Sequence, residues 1–335
     1  MMKEIKKSAI LVLILFVASF AGMERLHAQS SEAIDKATLR IPWKMGGDYA
    51  PFVLGVHKGF YKEQGLNLSV LEGESSGSTV NLIANRSDTF GYADAGVVAK
   101  GIAGGRPLKV LMVIYQKSPI GIMTLKESNI LKPEDLIGKR VAAAPGGSPA
   151  VFLPAFLKAN KIDPDRVKIA SIGGPALVPT LLQKKVEAMV SYVYLQVPPI
   201  KAQGFDLNVM NFSDSGINPL NLAVFAQADV LKENPRLVKK FVAGTIKAWE
   251  YASRNTKETV EIAQKYFPAV DVKIQEEVLR GSLNLLHTKY TGGKPIGWQA
   301  KEDWTATQEL LVDYFGLEKR LPIETYYTNE FFPNP

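Results

Sequence analysis

The chain has 335 residues, a formal net charge of +7 and no cysteine. The lack of cysteine excludes disulfides, thiolate zinc sites, iron–sulfur clusters and a cysteine nucleophile, and a lipoprotein anchor is not expected. Hydrophobic residues make up 46% of the chain and charged residues 22%, which is typical of a globular protein and excludes a fully disordered one. The modest charge, without a run of like charges, does not predict binding to nucleic acid.

The N-terminal segment, residues 1–28, has the pattern of a cleaved secretory signal peptide. Three lysines precede an unbroken apolar run at 9–18, and Ala28 offers a small residue for cleavage before Gln29. The apolar run is shorter than the roughly 20 residues that a membrane-spanning helix needs. We therefore expect an exported protein that works in a periplasm and meets the membrane only through a partner.

Strands and helices alternate along the first part of the mature chain. The hydrophobic pattern predicts strands at 38–43, 66–72, 89–93 and 108–115, with helices between them at 50–64, 78–86 and 95–103. This βαβαβαβ order predicts a parallel sheet with right-handed crossovers. The strongly apolar last strand indicates a sheet that is covered on both faces.

The alternation breaks twice, near 116–121 and at 213–219, and a second block of strands and helices lies between the breaks. Its predicted strands are 121–125, 140–144, 167–172, 186–191 and 207–211, and its predicted helices are 149–160, 175–185 and 195–203. A strand at 221–227 follows, and then helices at 235–254, 256–266, 272–286 and 301–315. We expect two α/β lobes, one of residues 36–117 plus 220–335 and one of the inserted residues 120–215, joined by two hinge crossings.

Four stretches of the sequence carry a resemblance to a known family. They are Trp43 with YAPFVLGV at 49–56, KGFYKEQGLNL at 58–68, GESSGSTVNLIANRSDTFGYADA at 73–95 and PEDLIGKRVA at 133–142. From about 38 to 250 the chain resembles the SsuA/THI5-like (NMT1) solute-binding proteins of ABC importers. The resemblance implies a type II periplasmic-binding-protein fold, a small-molecule ligand, and permease and ATPase subunits as partners. A monomer without a cofactor is expected.

Three turns rich in glycine and serine follow predicted strands, where open α/β sheets bind their ligands. Glycine lets the backbone approach a ligand closely, and free N–H groups at a helix start can donate to its oxygens. The alternative for each turn is an ordinary helix cap. The candidate ligand-binding residues in these turns are Ser76, Gly77, Ser78, Gly146, Gly147, Ser148 and Gly174.

Aromatic residues recur at the same ends of the predicted strands, where they could sandwich a planar ring as the lobes close. These residues are Trp43, Tyr49, Tyr92, Tyr115, Tyr192 and Tyr194, and all but Tyr92 are candidate ligand-binding residues. Asp94 ends a short strand beside them. It either caps the helix at 95–103 or accepts a hydrogen bond from a ring N–H or an amine, and a carboxylate there would disfavour a purely anionic ligand.

The sequence therefore predicts an exported receptor that binds a planar nitrogen heterocycle, such as a pyrimidine precursor of thiamine. A sulfonate such as taurine, or a nitrate-like oxyanion, is the alternative that the helix starts and the positive net charge favour. A periplasmic sensing partner and an enzyme on the same fold are more distant alternatives. No His-Glu-x-x-His, Gly-x-Ser-x-Gly or Walker lysine motif is present, so no metal site or catalytic residue is predicted. The cysteine-rich iron motif of the THI5 pyrimidine synthases is absent, and their chemistry is not expected here.

Overall fold

The structure is a computed structural model that describes residues 34–333 and contains two five-stranded sheets. The chain enters the first sheet with β1 (Asp35–Arg40), β2 (Leu66–Leu71), β3 (Phe90–Asp94) and β4 (Leu108–Val113). It then builds the second sheet from β5 (Ile120–Leu125), β6 (Arg140–Ala143), β7 (Lys168–Ser171), β8 (Ala188–Tyr192) and β9 (Leu207–Asn211). It returns to the first sheet with β10 (Leu222–Gln227). The spatial orders are β2-β1-β3-β10-β4 and β7-β6-β8-β5-β9.

One antiparallel strand interrupts each sheet. β1 is parallel to β2 and β3, whereas β10 is antiparallel to β3 and β4 and separates them. In the second sheet β6 is parallel to β7 and β8, and β5 is antiparallel to β8 and β9. The four strands that the alternation predicts to be parallel, β1–β4, do run in one direction. The sheet is nevertheless mixed, because β10 returns from the other sheet and lies antiparallel between β3 and β4.

Helices follow the strands of each sheet, as the alternation predicts. Those of the first sheet are α1 (Ala50–His57), α2 (Ser76–Ala84) and α3 (Ala95–Ala103), and those of the second are α4 (Ser148–Ala159), α5 (Leu177–Leu182) and α6 (Val193–Ala202). After β10 come α7 (Ala228–Glu233), α8 (Pro235–Arg254), α9 (Thr256–Tyr266), α10 (Val272–Leu283) and α11 (Lys301–Tyr314). We call the first sheet with α1–α3, α7–α11 and the residues after α11 the first lobe, and β5–β9 with α4–α6 the second lobe.

The helix predicted at 50–64 is shorter than expected. It ends at His57, the chain turns at Gly59 with a φ of 79°, and a short 3-10 turn at Lys62–Gln64 leads to Gly65 with a φ of 76°. Both values lie in the left-handed region that glycine adopts without steric strain. The two glycines thus bring the chain back to start β2 beside β1.

The core of the first lobe lies under the long helix α8. The ring of Phe90 on β3 stacks on that of Phe241 on α8, with centroids 4.0 Å apart. Trp249, two turns further along α8, is fully buried against Phe52 of α1. Burying a large apolar side chain stabilises a fold by about 1.5–3 kcal/mol, so these contacts fix the start of β3 and the start of α1.

Two chain segments connect the lobes and are hydrogen-bonded to each other. Asn221 N–H donates to the Tyr115 carbonyl oxygen at 2.9 Å, and Ser118 N–H donates to Asn218 Oδ1 at 2.7 Å. The Asn218 amide in turn donates to the Gln116 carbonyl oxygen at 3.4 Å. The two crossings predicted from the breaks in the pattern therefore run side by side.

Within residues 34–333, no helix has the length and apolar character needed to cross a bilayer. The predicted signal peptide at 1–28 lies outside the described residues. Its cleavage stays a prediction from the sequence.

Candidate functional site

Two buried aspartates lie where the lobes meet. Asp48 is in the loop between β1 and α1, and Asp94 is the last residue of β3. Each accepts a hydrogen bond from a side chain of the second lobe. We call their surroundings the Asp48 centre and the Asp94 centre.

The Asp48 centre contains a carboxylate oxygen that no described residue satisfies. Asp48 is 1% exposed; Tyr194 O–H donates to its Oδ2 at 3.1 Å, and Tyr115 O–H donates to its backbone carbonyl at 3.2 Å. Its Oδ1 is buried and has no hydrogen-bond partner among residues 34–333. A buried polar atom without a partner costs about 1–3 kcal/mol. Oδ1 is therefore available to accept a hydrogen bond from a bound molecule.

Burial also changes the ionisation of Asp48. It raises the pKa of this carboxyl from 3.8 to about 6, and polar contacts with Tyr194, with its own backbone N–H and with the Tyr49 side chain partly oppose the shift. Burial also raises the pKa values of Tyr49 and Tyr115 well above 10, and the charge of Asp48 adds to this effect. The centre thus combines one carboxylate near its titration point with tyrosines that stay protonated.

Aromatic rings surround the Asp48 centre in one connected set. Tyr115 makes edge-to-face contacts with Tyr194 at 5.5 Å and with Trp249 at 6.0 Å between centroids. Phe52 makes the same kind of contact with Trp249 and with Tyr92, at 5.8 Å and 5.0 Å. Edge-to-face pairs of this kind hold aromatic rings in fixed relative orientation. The result is a wall of packed rings that includes Tyr115 and Tyr194, the two residues whose hydroxyls donate to Asp48.

The Asp94 centre is a fully satisfied carboxylate. Its Oδ1 accepts from the N–H groups of Gly96 at 2.9 Å and Val97 at 3.2 Å, at the start of α3. Its Oδ2 accepts from Asn221 Nδ2 at 2.9 Å and from Ser148 Oγ at 3.3 Å. A carboxylate offers about four acceptor positions, and all four are occupied here.

Burial dominates the ionisation of the Asp94 centre too. It raises the pKa of Asp94 to about 6, against the lowering effect of the N–H donors of α3 and of Ser148. Burial raises the pKa of Tyr192 as well, and the Asp94 carboxylate adds to that shift. Tyr192 links the two centres, because its ring lies 6.5 Å from that of Tyr194.

Seven of the residues predicted from the sequence lie in or beside these centres. The Asp48 centre contains Tyr49, Tyr115 and Tyr194. The Asp94 centre contains Asp94, Ser148, Tyr192 and Ser76. The Oγ of Ser76 accepts a hydrogen bond from Asp94 N–H at 3.1 Å. Asp94 caps α3, so the capping role considered from the sequence is confirmed.

The other predicted residues lie outside both centres. Ser78 forms a capping box with Ser75 at the start of α2, and Gly77 is exposed in the same turn. Gly146 is exposed, and Gly147 caps α4 just before Ser148. Gly174 is exposed in a 3-10 turn, with nothing within 4 Å of where a Cβ would lie.

Trp43 is 59% exposed and makes none of the ring contacts of the Asp48 centre within the described chain. The sequence predicts it on the first strand, but β1 ends at Arg40. Trp43 therefore lies in the loop beyond the strand. A role for it in ligand stacking stays a prediction from the sequence.

Several residues of the two centres were not predicted as site residues. Asp48 follows Gly46 and Gly47 after a strand and precedes α1, which is the same signal that selected the other turns, so it could have been found. Asn221 lies beside a predicted break. Trp249 lies within a regular amphipathic helix, and no local pattern separates it from the other core residues of α8.

The centres offer hydrogen-bond donors, one free acceptor and aromatic rings, which suits a planar molecule bound without covalent chemistry. Within residues 34–333, no three His, Asp or Glu side chains are grouped to hold a metal ion. The histidines of the described chain lie elsewhere: His57 contacts Tyr266 at 2.9 Å, and His287 is half-buried near the first crossing.

Comparison with known proteins gives one family and several relatives. The family model described as NMT1/THI5 like matches residues 47–259. The riboflavin-binding protein RibY of Chloroflexus aurantiacus is 23% identical over 313 residues, which cover 90% of this chain and 87% of that protein. The 4-amino-5-hydroxymethyl-2-methylpyrimidine phosphate synthase of Legionella pneumophila is 19% identical over 302 residues, covering 89% and 93%.

Solved structures show the same architecture. The periplasmic aliphatic sulphonate binding protein SsuA from Escherichia coli matches with a TM-score of 0.70 at 14% identity, over 87% of this chain and 91% of that chain. At this identity the match shows the fold alone. The chain has the two-lobe fold of periplasmic binding proteins, as the sequence predicts.

Proposed function

The chain belongs to the NMT1/THI5-like family, and we propose that it is the exported solute-binding receptor of an ABC importer. Its fold is that of periplasmic solute-binding proteins. The proposed location is the periplasm, and the proposed partners are the permease and ATPase subunits of the importer. The solute is bound where the lobes meet, between the Asp48 and Asp94 centres.

The proposed solute is a planar heterocycle with a ring or exocyclic N–H group. The observation that carries this proposal is the buried, unpartnered Oδ1 of Asp48 beside a wall of aromatic rings. An N–H group of the solute would donate to Oδ1, and the ring would lie against the tyrosines. The names of two relatives support this class, since riboflavin and the hydroxymethylpyrimidine are both planar nitrogen heterocycles.

A purely anionic solute, such as a sulfonate or nitrate, is the second candidate and fits less well. The site contains two buried carboxyls, and no cationic side chain of the described chain shifts the pKa of either one. Like charges brought together in a water-poor site repel strongly. An enzymatic function ranks below both, although one relative is named a synthase.

In the proposed mechanism, the lobes close on the solute around Asp48, which contacts residues of both lobes. Its loop belongs to the first lobe, and Tyr194, which donates to it, lies on α6 of the second lobe. A solute bound between them contacts both lobes only in the closed state. It therefore shifts the open–closed equilibrium by its differential affinity for that state, with the paired crossings as the proposed hinge.

The test is a binding panel on the mature chain, unfolded and refolded to remove any bound solute. Riboflavin, 4-amino-5-hydroxymethyl-2-methylpyrimidine, taurine and nitrate are titrated by calorimetry and thermal shift. A heterocycle at 100 times its Kd should stabilise the protein by about 2.7 kcal/mol. Asp48→Asn should abolish binding, whereas Asp303→Asn, which changes a buried carboxyl on α11, should not. Binding of taurine or nitrate alone would overturn the heterocycle proposal.

A further inference from the structure

We propose that Tyr92 and Trp249 determine solute specificity, and that the bound ring presents a hydrogen-bond acceptor beside its N–H donor. This inference rests on the proposed function and narrows its solute class. The class comprises lactams, cyclic imides and aminopyrimidines, in which an N–H group adjoins a carbonyl oxygen or a ring nitrogen.

The starting observation is a concentration of unpartnered polar atoms. Five buried side-chain N or O atoms within residues 34–333 have no hydrogen-bond partner, and three of them belong to Asp48, Tyr92 and Trp249. Buried polar groups in folded proteins are nearly always hydrogen-bonded. Three exceptions among residues that share ring contacts fit a site in which a bound molecule supplies the missing partners.

The three residues are close in the fold although they are distant in sequence. Tyr92 lies on β3 and Trp249 on α8, both 0% exposed, and each ring contacts Phe52 between them. Trp249 also contacts Tyr115, whose hydroxyl donates to the backbone of Asp48. Tyr92 contacts Tyr49, the next residue after Asp48, with ring centroids 6.0 Å apart. The three residues that carry the free atoms therefore belong to one continuous set of contacts.

Their chemistry is complementary rather than uniform. The indole Nε1–H of Trp249 can only donate, the ionised Oδ1 of Asp48 can only accept, and the Tyr92 hydroxyl can do either. A simple amine supplies donors alone and leaves Trp249 unpaired. A sulfonate supplies acceptors alone and leaves Asp48 unpaired. A ring edge with an N–H beside a carbonyl or a ring nitrogen satisfies both side chains.

Such a site discriminates strongly. A solute that lacks one of the two groups leaves a buried protein atom unpaired, and sites built this way reject such analogues by large factors. Riboflavin carries an N3–H between two carbonyls, and the 4-aminopyrimidine carries an amino group beside a ring nitrogen. N3-methylriboflavin keeps the carbonyls and loses the donor, so it is the matched analogue.

The first experiment measures the affinities of four variants for riboflavin, N3-methylriboflavin and 4-amino-5-hydroxymethyl-2-methylpyrimidine. Tyr92→Phe and Trp249→Phe should each weaken binding of the preferred heterocycle by about tenfold or more. The matched controls are Tyr326→Phe and Trp304→Phe, buried residues of the first lobe whose polar atoms bond Gln308 and Gln299. These controls should bind as the wild type does, and the wild type should prefer riboflavin to its N3-methyl analogue.

The second experiment needs no solute and compares thermal unfolding of the solute-free proteins. Tyr92→Phe removes an unpaired buried hydroxyl and should raise Tm by about 1–3 °C, whereas Tyr326→Phe breaks a hydrogen bond and should lower it. Trp304→Phe and Trp249→Phe lose the same ring volume, but only Trp304→Phe also breaks a hydrogen bond, so it should be the more destabilising of the two.

The outcomes separate the inference from the proposed function. If a heterocycle binds and the Tyr92 and Trp249 variants match their controls in affinity, the inference is overturned and the proposed function stands. Equal Tm losses in Tyr92→Phe and Tyr326→Phe would show that the Tyr92 hydroxyl has a partner, which also overturns the inference. If neither heterocycle binds the wild type, the inference fails together with the proposed heterocycle class of solute.

Discussion

The Oγ of Ser148 lies 3.3 Å from Oδ2 of Asp94, and this hydrogen bond joins the second lobe to the first. Ser148 begins α4, while Asp94 ends β3 and caps α3. Asn221 in the second crossing donates to the same oxygen. One carboxylate thus connects both lobes and a proposed hinge segment.

Because this bond exists only while the lobes are in contact, Ser148→Ala should favour the open state. Loss of one hydrogen bond to a charged group corresponds to about 1.5–3 kcal/mol, so affinity for the solute should fall by about tenfold or more. Small-angle scattering of the solute-free variant should show a larger radius of gyration than the wild type. Ser171→Ala, at an exposed serine of β7, is the control. Unchanged affinity and radius would mean that the bond does not contribute to closure.

Asp48→Asn should stabilise the solute-free protein at neutral pH. Burial raises the pKa of Asp48 from 3.8 to about 6, so the folded chain binds this proton more tightly than the unfolded chain. The resulting stabilisation is present below about pH 4 and is lost as the pH rises through 6. The variant should exceed the wild type in unfolding free energy by up to roughly 3 kcal/mol at pH 7 and by almost nothing at pH 4. Urea titrations at both pH values measure this, and a variant that is less stable at pH 7 would contradict it.

Solute affinity should fall in acid for a related reason. Protonation removes the negative charge of Asp48 and weakens Oδ1 as a hydrogen-bond acceptor. The surrounding tyrosines have raised pKa values, so they do not titrate in this range. For a neutral heterocycle, Kd should be about tenfold higher at pH 5 than at pH 7. Calorimetry at a series of pH values tests this. A Kd that is the same at pH 5 and at pH 7 would contradict this prediction.

Much of the fold could be predicted because its signals are local. The alternating and apolar runs place β2, β9, α3, α8 and α9 within a residue or so of their observed bounds. The two breaks in the pattern mark the crossings. Strand order is different, because it depends on which distant segments pair. The antiparallel insertion of β10 between β3 and β4 leaves no trace in the sequence around any one of them.

The site could be predicted only in part, because some of its residues carry a local signal and others are brought together by long-range packing. Asp94 and Ser148 lie at turns that a strand-to-helix pattern identifies. Trp249 lies some 200 residues from Asp48 in the sequence, and only tertiary packing brings them together. Which aspartate has a free oxygen is likewise decided by distant donors such as Asn221. A local pattern therefore finds candidate positions but not their hydrogen-bond state.

We expect the Trp43 side chain to contribute little to solute binding. It is 59% exposed and contributes no ring contact to the Asp48 centre within the described residues, so Trp43→Ala should change solute affinity by less than about twofold and hardly affect Tm. The comparison is Tyr49→Ala, which removes a buried ring beside Asp48 and should weaken binding and lower Tm. A large loss of affinity in Trp43→Ala, with Tm unchanged, would place its ring on the solute after all.

The last prediction concerns the hydrogen bonds that the Gln116 side chain makes at the first crossing. Gln116 is 1% exposed, and its side-chain amide donates to the carbonyl oxygens of Val113 at 3.1 Å and Trp298 at 2.7 Å, while its Oε1 accepts from Thr291. Gln116→Met keeps the shape but leaves those groups unpaired, which should cost about 2–4 kcal/mol and lower Tm by several degrees. Gln203→Met, at an exposed site, is the control. Because the crossing holds both lobes, we also expect faster solute release in stopped-flow measurements. Equal Tm values for the two variants would show that these bonds do not brace the crossing.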